Sequence, residues 1–520
     1  MSAVRINPII PGFAPDPSIV LIDDTYFLVN STFHLFPGLP IYASKDLIAW
    51  KHIGNAFNRQ NQMSLAGAST RIDEMGDSGD RMLATGGLYA PTIRHHNGTT
   101  YIVCTNIIHE GASHTGRTEN FILSTRDIWS NEWSDPVYFD FNGIDPSIFF
   151  DEDGRAYIQG SAAPGPMTKI NLFEVDLRTG KKLSEEKKIW DGTGGIYPEG
   201  PHIYKKDGFY YLLISEGGTF DGHMITVARS KDIWGPYESF EGNPILTAKG
   251  TDEYVQCTGH CDLFQNKEGE WWGVCLAVRK RDGRYVMGRE TFLVQGTWPQ
   301  GEWPRLCPVK VHLLSDGPKI VRTEENVIIA NPLVDLLYIR DARLDDHQLT
   351  NDAQTIILTP NQADLSSWNE PVTFVGKRQR LLEGTSSVTM HTIAAAARDT
   401  TSNLKTGLAY YKDEHRYARL YYDYAISEMV FEVVNKAKSI SRRSRHTCDM
   451  QSVFTLRIEH TEMSCAFYFS QDKAPDGWFC AGSLDTVEIS GPDFVGPVVG
   501  VFATADNRDV RVRFEDLLVA

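Results

Sequence analysis

The chain has no uninterrupted apolar stretch of about 18 residues, so no segment reads as a membrane-spanning helix. It lacks a glycine-rich phosphate loop and a dinucleotide-binding fingerprint, and therefore any sequence signature of nucleotide chemistry. Positive charge is scarce: 51 Lys and Arg against 67 Asp and Glu leave a net charge of −16. Such a surface repels phosphate backbones and argues against nucleic acid as a partner, while neutral sugars are indifferent to it. The opening MSAVRINPIIPGF has neither the apolar core nor the small-residue cleavage site of a secretory leader. The eight cysteines are scattered, several within apolar strand-like runs, and read mostly as free thiols of a reducing compartment. A cytoplasmic location is the expectation, with a secreted mature form left open. The sequons at Asn30 and Asn97 fall inside strand patterns and do not alter it. Cys257-Thr-Gly-His260-Cys261 has no second Cys/His pair nearby to complete a zinc set, so no metal site is predicted from it.

Amphipathic helical periodicity is also nearly absent, and alternating strand patterns fill the space. At 520 residues, 42% of them hydrophobic, the chain exceeds what one core usually holds, and two domains are expected. The first part repeats itself weakly. Five short motifs each run into an apolar strand start: Asp16-Pro-Ser-Ile, Ala90-Pro-Thr-Ile, Asp145-Pro-Ser-Ile, Glu199-Gly-Pro-His-Ile and Gly259-His-Cys-Asp-Leu. After each comes a turn and a second strand, as in NGTTYIVCTN and KDGFYYLLIS, where Asn-Gly and Asp-Gly are hairpin signals. Repeat starts lie roughly 50 to 75 residues apart, within reach of propeller blades carrying loop insertions. The prediction is an all-β chain: a five-bladed β-propeller over residues 1–310, then a β-sandwich over residues 325–520, where strand spacing changes. A plain array of sandwiches is the competing architecture. The basic island at residues 436–446 reads as a solvated hairpin tip. Trp271-Trp272 is expected to send one ring to each face of a strand, and His95-His96 to end one.

In a propeller the first strand of each blade lines the central axis, and its leading residue sits at one mouth of the channel. Three of the five openings present a carboxylate there: Asp16, Asp145 and Glu199. Residues far apart in sequence would thus meet in one pocket. Paired carboxylates are what glycosidic bond cleavage needs, one protonating the leaving oxygen and the other acting on the opposite face of the sugar ring.

The openings GFAPDPSI, GGLYAPTIRHHNG, IDPSIFFDEDG and YPEGPHIYKKDGFYYLLISEGGT, with STFHLFPGLPIYASKDLIAW, TGHCDLF and MGRETFL, resemble those of glycoside hydrolase family 43, the β-xylosidase and α-L-arabinofuranosidase group. The tail, with GPDFVGPVVGVFATADN, is similar to the concanavalin-like sandwich appended to that family's β-xylosidases. The resemblance implies an inverting mechanism, with Asp16 as general base, Glu199 as general acid and Asp145 as the carboxylate that tunes the acid. It further implies that Arg289 binds sugar, that Phe33 is the aromatic of the glycone subsite, and that His260 is an axial histidine. Some members hold a water or metal beside that histidine; here the expectation is no required cofactor, with a structural calcium or sodium ion near His260 left open. Tyr89 stands where similar β-xylosidases often carry Trp, on the side receiving the leaving group, which puts acceptor preference in doubt. The expected substrate is a small xylo-oligosaccharide trimmed from its end. An α-L-arabinofuranosidase or an enzyme with both activities is the near alternative, and a sugar-binding propeller without catalysis the alternative from another class. A retaining fructosidase is a fourth reading. Homo-oligomer formation stays open.

Overall fold

The computed structural model describes residues 2–75, 80–109, 116–163, 165–315, 327–392, 403–448, 453–471 and 477–520. Strands dominate, and no α-helix occurs among the described residues. The first half forms five antiparallel sheets. Their first three strands are Ser18–Ile22, Thr25–Val29 and Gly38–Ser44; Gly87–His96, Thr99–His109 and Gly116–Thr125; Gly143–Phe150, Ala156–Ala162 and Lys169–Glu174; Glu199–Lys206, Phe209–Glu216 and Met224–Ser230; and Val255–Gln265, Trp271–Arg279 and Glu290–Thr297. Each sheet adds a further outer strand. The five first strands neighbour one another cyclically, the last returning to the first.

Local chemistry explains the hairpins. Asn97-Gly98 and Asp207-Gly208 both adopt positive φ at both positions, as a two-residue turn matched to strand twist requires. After the third strands of the first, second and fourth sheets, an aspartate closes the next turn: Asp46 accepts from the Ile48 and Ala49 amides, Asp127 from Trp129 and Asp232 from Trp234. Trp271 and Trp272 do part to opposite faces. Trp271 packs on Trp298 in the core between the fourth and fifth sheets, and Trp272 joins the core between the fifth and first. His96 ends its strand as expected. Cys104, Cys257, Cys261, Cys275 and Cys465 are buried free thiols.

The second half is a two-layer sandwich. A seven-stranded sheet contains Gly384–His391, Val453–His460 and Val512–Leu518; a six-stranded sheet contains Phe374–Arg378, Lys405–Asp413, Arg416–Asp423 and Val498–Thr504. Val453–His460 alternates buried and half-buried residues, as a sheet with one covered face does. Arg416–Asp423 is buried at every position, because the six-stranded sheet has neighbours on both faces: its partner layer on one side and the first half of the molecule on the other. On that second face Tyr411, Tyr417 and Tyr421 share a hydrophobic cluster with Phe13, Phe33 and Leu35 of the first half.

The basic island departs from its reading. Only its first residues turn; Ile440–Thr447 is a full edge strand of the six-stranded sheet. Arg442 pairs with Glu488 and Arg443 with Glu432. Positive charge on an edge strand discourages pairing with another chain, which accounts for the composition. The change of strand spacing near residue 325 lies outside the described residues. Beyond it, Val327–Ile329 pairs in parallel with Trp50–Phe57 and Tyr338–Ile339 pairs with Leu35–Phe36, so the chain lines the first sheet before it enters the sandwich.

Candidate active site

Four of the five first strands have a break near the leading end. Register shifts interrupt the ladders opposite Ala90, between Ile144 and Ser147, between Glu199 and His202, and at Gly259. Positive φ accompanies them at Ala90 (41°), Asp145 (53°), Gly200 (56°) and His260 (45°), and Asp16 (51°) repeats the conformation just ahead of its strand. Such bulges re-aim a side chain that regular pleating would send to a sheet face. Gly200 lies close against His260: a Cβ there would stand 3.0 Å from the ring, which would have to give way.

Asp16, Asp145, Glu199, His260 and Arg289 thereby meet. Asp16 lies 3.4 Å from Arg289 Nη1 and 3.9 Å from His260 Nδ1, and its second oxygen accepts the Ser31 hydroxyl at 2.6 Å. Asp145 accepts the Gly200 amide at 3.0 Å, the peptide directly after Glu199. Arg289 is fixed on three sides: Nη1 donates to Thr219 Oγ1 at 3.1 Å, and Nε and Nη2 both reach the Phe494 carbonyl, at 3.3 and 3.0 Å.

The electrostatics separate the three carboxyls. Burial opposes ionisation of Asp16, but Arg289, then His260, the Ser31 hydroxyl and His223 together outweigh it and hold the carboxyl below its ordinary range. Asp145 is pushed up to about 6 by burial, with the Asp16 charge adding to the rise and His260, the Gly200 amide and Arg289 restraining it. Glu199 goes well above the usual carboxylate range, through burial first and then the charges of Asp145 and Asp16, against the pull of Arg289. One ionised group and one protonated group in a shared hollow is the division of labour that acid–base catalysis uses.

Aromatic rings form the adjoining wall. Phe33 meets Tyr89 edge-on at 4.7 Å and lies 5.8 Å from Phe494, while the Arg289 guanidinium sits 5.2 Å over Phe33 and 5.0 Å over Phe494. Phe33 is 1% exposed and also stacks on Phe13, so it packs as core at the edge of the site. The Tyr89 hydroxyl donates to the Thr85 carbonyl at 2.5 Å; its ring, not its hydroxyl, faces Phe33 and Phe494. Phe494 and Thr219 were not foreseen. Phe494 comes from the sandwich half, on a segment anchored by buried Asp493, which binds Lys412 at 3.0 Å and also Arg416. The motifs GPDFVG and SEGGT contain them, but nothing in their spacing says that they border Arg289.

A cleft of about 890 Å³ between the two halves, lined by Asn7, Tyr254, Arg281, Lys310 and Glu462, touches none of the three carboxyls. Its Glu462 is already held by Tyr254 and Arg281.

Comparison with known proteins gives the site its family. A model described as "Glycosyl hydrolases family 43" matches residues 6–304, and one described as "Beta xylosidase C-terminal Concanavalin A-like domain" matches residues 334–517. The non-reducing end alpha-L-arabinofuranosidase BoGH43B of Bacteroides ovatus is 35% identical over 96% of this chain and 92% of its own. A xylosidase/arabinosidase of Butyrivibrio fibrisolvens is 40% identical over 58% of this chain and 56% of its own. Among solved structures, a xylan beta-1,4-xylosidase from Bacillus halodurans C-125 has TM-score 0.84 at 26% identity, covering 98% of this chain and 99% of that one. With the catalytic model spanning more than half of its length and one relative similar almost from end to end, the chain belongs to glycoside hydrolase family 43 and ends in that family's concanavalin-like domain.

Proposed function

We propose that this glycoside hydrolase removes terminal pentose units from short oligosaccharides with inversion, Asp16 acting as general base, Glu199 as general acid and Asp145 as the group that keeps Glu199 protonated. The observation that carries the reading is the opposite displacement of Asp16 and Glu199 from the ordinary carboxylate range within one hollow. In this reading the five sheets are the blades of a propeller, since their first strands adjoin in a cycle, and the catalytic and sandwich domains divide between residues 310 and 325. Arg289, backed by the Phe33 ring, holds the terminal sugar. The Asp493–Phe494 segment reaches from the sandwich half to bind Arg289 through the Phe494 carbonyl, a placement that supports removal of end units over cleavage within a chain.

The sugar we assign first is xylose, released from xylo-oligosaccharides. The end-to-end similarity to a non-reducing end alpha-L-arabinofuranosidase favours arabinofuranose as the second reading, and one pocket can serve both where their hydroxyls present alike. Paired assays with 4-nitrophenyl β-D-xylopyranoside and α-L-arabinofuranoside decide between them by kcat/KM. Turnover of neither, with longer arabinan cleaved, would replace the end-trimming reading. Proton NMR of the first-formed xylose should show the α-anomer from the β-xyloside. A β-anomer would demand carboxyls about 5–5.5 Å apart and a covalent intermediate, in place of the roughly 6.5–9.5 Å of an inverting pair.

The role of Asp145 predicts a pH effect of definite sign. A neighbouring negative charge raises the pKa of Glu199, so removing it lowers that pKa. Asp145→Asn should therefore move the alkaline limb of the kcat profile to lower pH, because the acid loses its proton earlier. A limb that stays in place, with activity retained, would detach Asp145 from the acid.

A further inference from the structure

We propose that Ser31 is the positioning residue of the base: its hydroxyl, clamped between the Asp16 carboxylate and the Ala90 amide, holds Asp16 by Oδ2 and so aims Oδ1, the oxygen beside Arg289 and His260, at the water whose proton it takes. The inference rests on the reading of Asp16 as general base and deepens it.

A serine hydroxyl carries one proton and accepts through its lone pairs. The Ala90 amide donates to Ser31 Oγ at 2.7 Å, and the same Oγ stands 2.6 Å from Asp16 Oδ2. Because the amide has only a proton to give, it engages a lone pair, and the serine proton is left for Asp16. Ser31 is 0% exposed, so no bulk water competes for that geometry. Oδ2 is thus occupied, and Oδ1 is the oxygen turned to Arg289 and His260.

The surroundings are built to hold this clamp. The Asn30 side-chain amide donates to the carbonyls of Ala14 and Pro15, at 3.0 and 2.9 Å, and to Thr291 Oγ1 at 2.9 Å. The Ser31 amide donates to the Pro15 carbonyl at 3.2 Å. Residues 30 and 31 together pin the peptide that carries Asp16 in its positive-φ conformation, which without such support would relax. Hydroxyls at matching places in other blades do half of this work. Ser161 Oγ donates to the Pro198 carbonyl at 2.7 Å and Ser215 Oγ accepts the His260 amide at 2.8 Å. Each fastens the opening of the following blade. Ser31 does the same for Ala90 and adds the bond to Asp16, and the opening that it fastens adjoins Tyr89 on the proposed leaving-group side.

The ionisable groups facing Asp16 are Arg289, His260, His223, Asp145, Glu199, Tyr89 and Cys104, and none of them is altered chemically when Ser31 is changed. Ser31→Ala removes a hydrogen bond to the ionised carboxylate, and its loss makes protonation easier. The acidic limb of the kcat/KM profile, which reports groups of the free enzyme, should move to higher pH. At the optimum kcat should fall about tenfold, a fraction of what a general base contributes, with KM within twofold. Ser31→Thr keeps the hydroxyl and should restore both the limb and kcat. If the alanine variant does not fold, Ser31→Cys takes its place, since a thiol donates weakly, and the same displaced limb is required. Asp16→Asn, measured alongside, separates the two claims. If it retains full activity, the base reading fails. If it is inactive while the limb of Ser31→Ala is unmoved, or Ser31→Thr is displaced as far as Ser31→Ala, the positioning role of Ser31 is overturned.

Discussion

Replacing Glu199 by Gln lowers kcat on an unactivated xyloside or arabinoside by about 10²–10⁴-fold, the range that a positioned general acid supplies, while the melting temperature stays within a few degrees. The side chain keeps its shape and loses only the proton that the proposed role requires. Glu199 retains partial exposure through the hollow, and the backbone bond to Ser215 that places it is untouched, so the fold has no reason to respond. The loss should shrink as the leaving group improves. A 2,4-dinitrophenolate departs without protonation, so its glycoside should be cleaved by the variant at a rate much nearer that of the parent. Asp16→Asn should behave otherwise: attack by water remains unassisted whatever leaves, and the deficit should persist across leaving groups. A Glu199→Gln variant slowed equally on both substrate classes would take the proton-donor role away from this residue. Parent-like activity on the unactivated glycoside would remove it from the mechanism altogether.

The three carboxyls were visible in the sequence because they open repeated units. Repetition converts distance along the chain into nearness in space: Asp16 and Asp145 occupy equivalent positions at the openings of two sheets, and Glu199 directly precedes the equivalent residue, Gly200, of a third. The Asn97-Gly98 and Asp207-Gly208 turns were readable for a local reason, since their chemistry dictates the backbone. Phe494 was not readable. It borders Arg289 only because Asp493 binds Lys412 and Arg416 of the sandwich and carries the segment back over the first half, and no periodicity within either half encodes a contact between them. Ser31 was hidden differently. NST looks like a strand end, and only the bond to Ala90, 59 residues away, gives its hydroxyl a direction. The edge strand Ile440–Thr447 misled because charge spacing resembles that of a turn when the partner strand is unknown.

A second set of residues, equally invisible in sequence, holds the five sheets together, and its loss should have the largest effect on stability. Asp262, 0% exposed, receives both Arg94 nitrogens at 2.7 and 2.9 Å, the Ser18 hydroxyl at 2.6 Å and the Tyr204 hydroxyl at 2.8 Å. Arg94 also approaches His202 Nδ1 at 3.2 Å, and Ser147 reaches the same nitrogen at 3.0 Å. Ser18, Arg94, Ser147, His202 and Asp262 lie on the first strands of all five sheets. Asp262→Ala leaves the Arg94 guanidinium without its counter-charge and strands two hydroxyls, and breaking a buried pair from one side costs about 3–5 kcal/mol. Asp262→Asn keeps an oxygen for Ser18 or Tyr204 and should cost visibly less. Urea unfolding followed by tryptophan fluorescence measures both, and an alanine variant within about 1 kcal/mol of the parent, the scale of an ordinary exposed pair, would show that the five strands cohere without it. The same carboxylate fixes an acid limit. Burial alone would raise its pKa, but Arg94, then His202 and the Ser18 hydroxyl, depress it far below the usual carboxylate range. A depressed folded-state pKa contributes stability that is fully present above the unfolded value, about 3.9, and is lost as pH falls through that value towards the folded one. The difference in stability between parent and Asp262→Ala should therefore be constant near neutrality and narrow only below about pH 4.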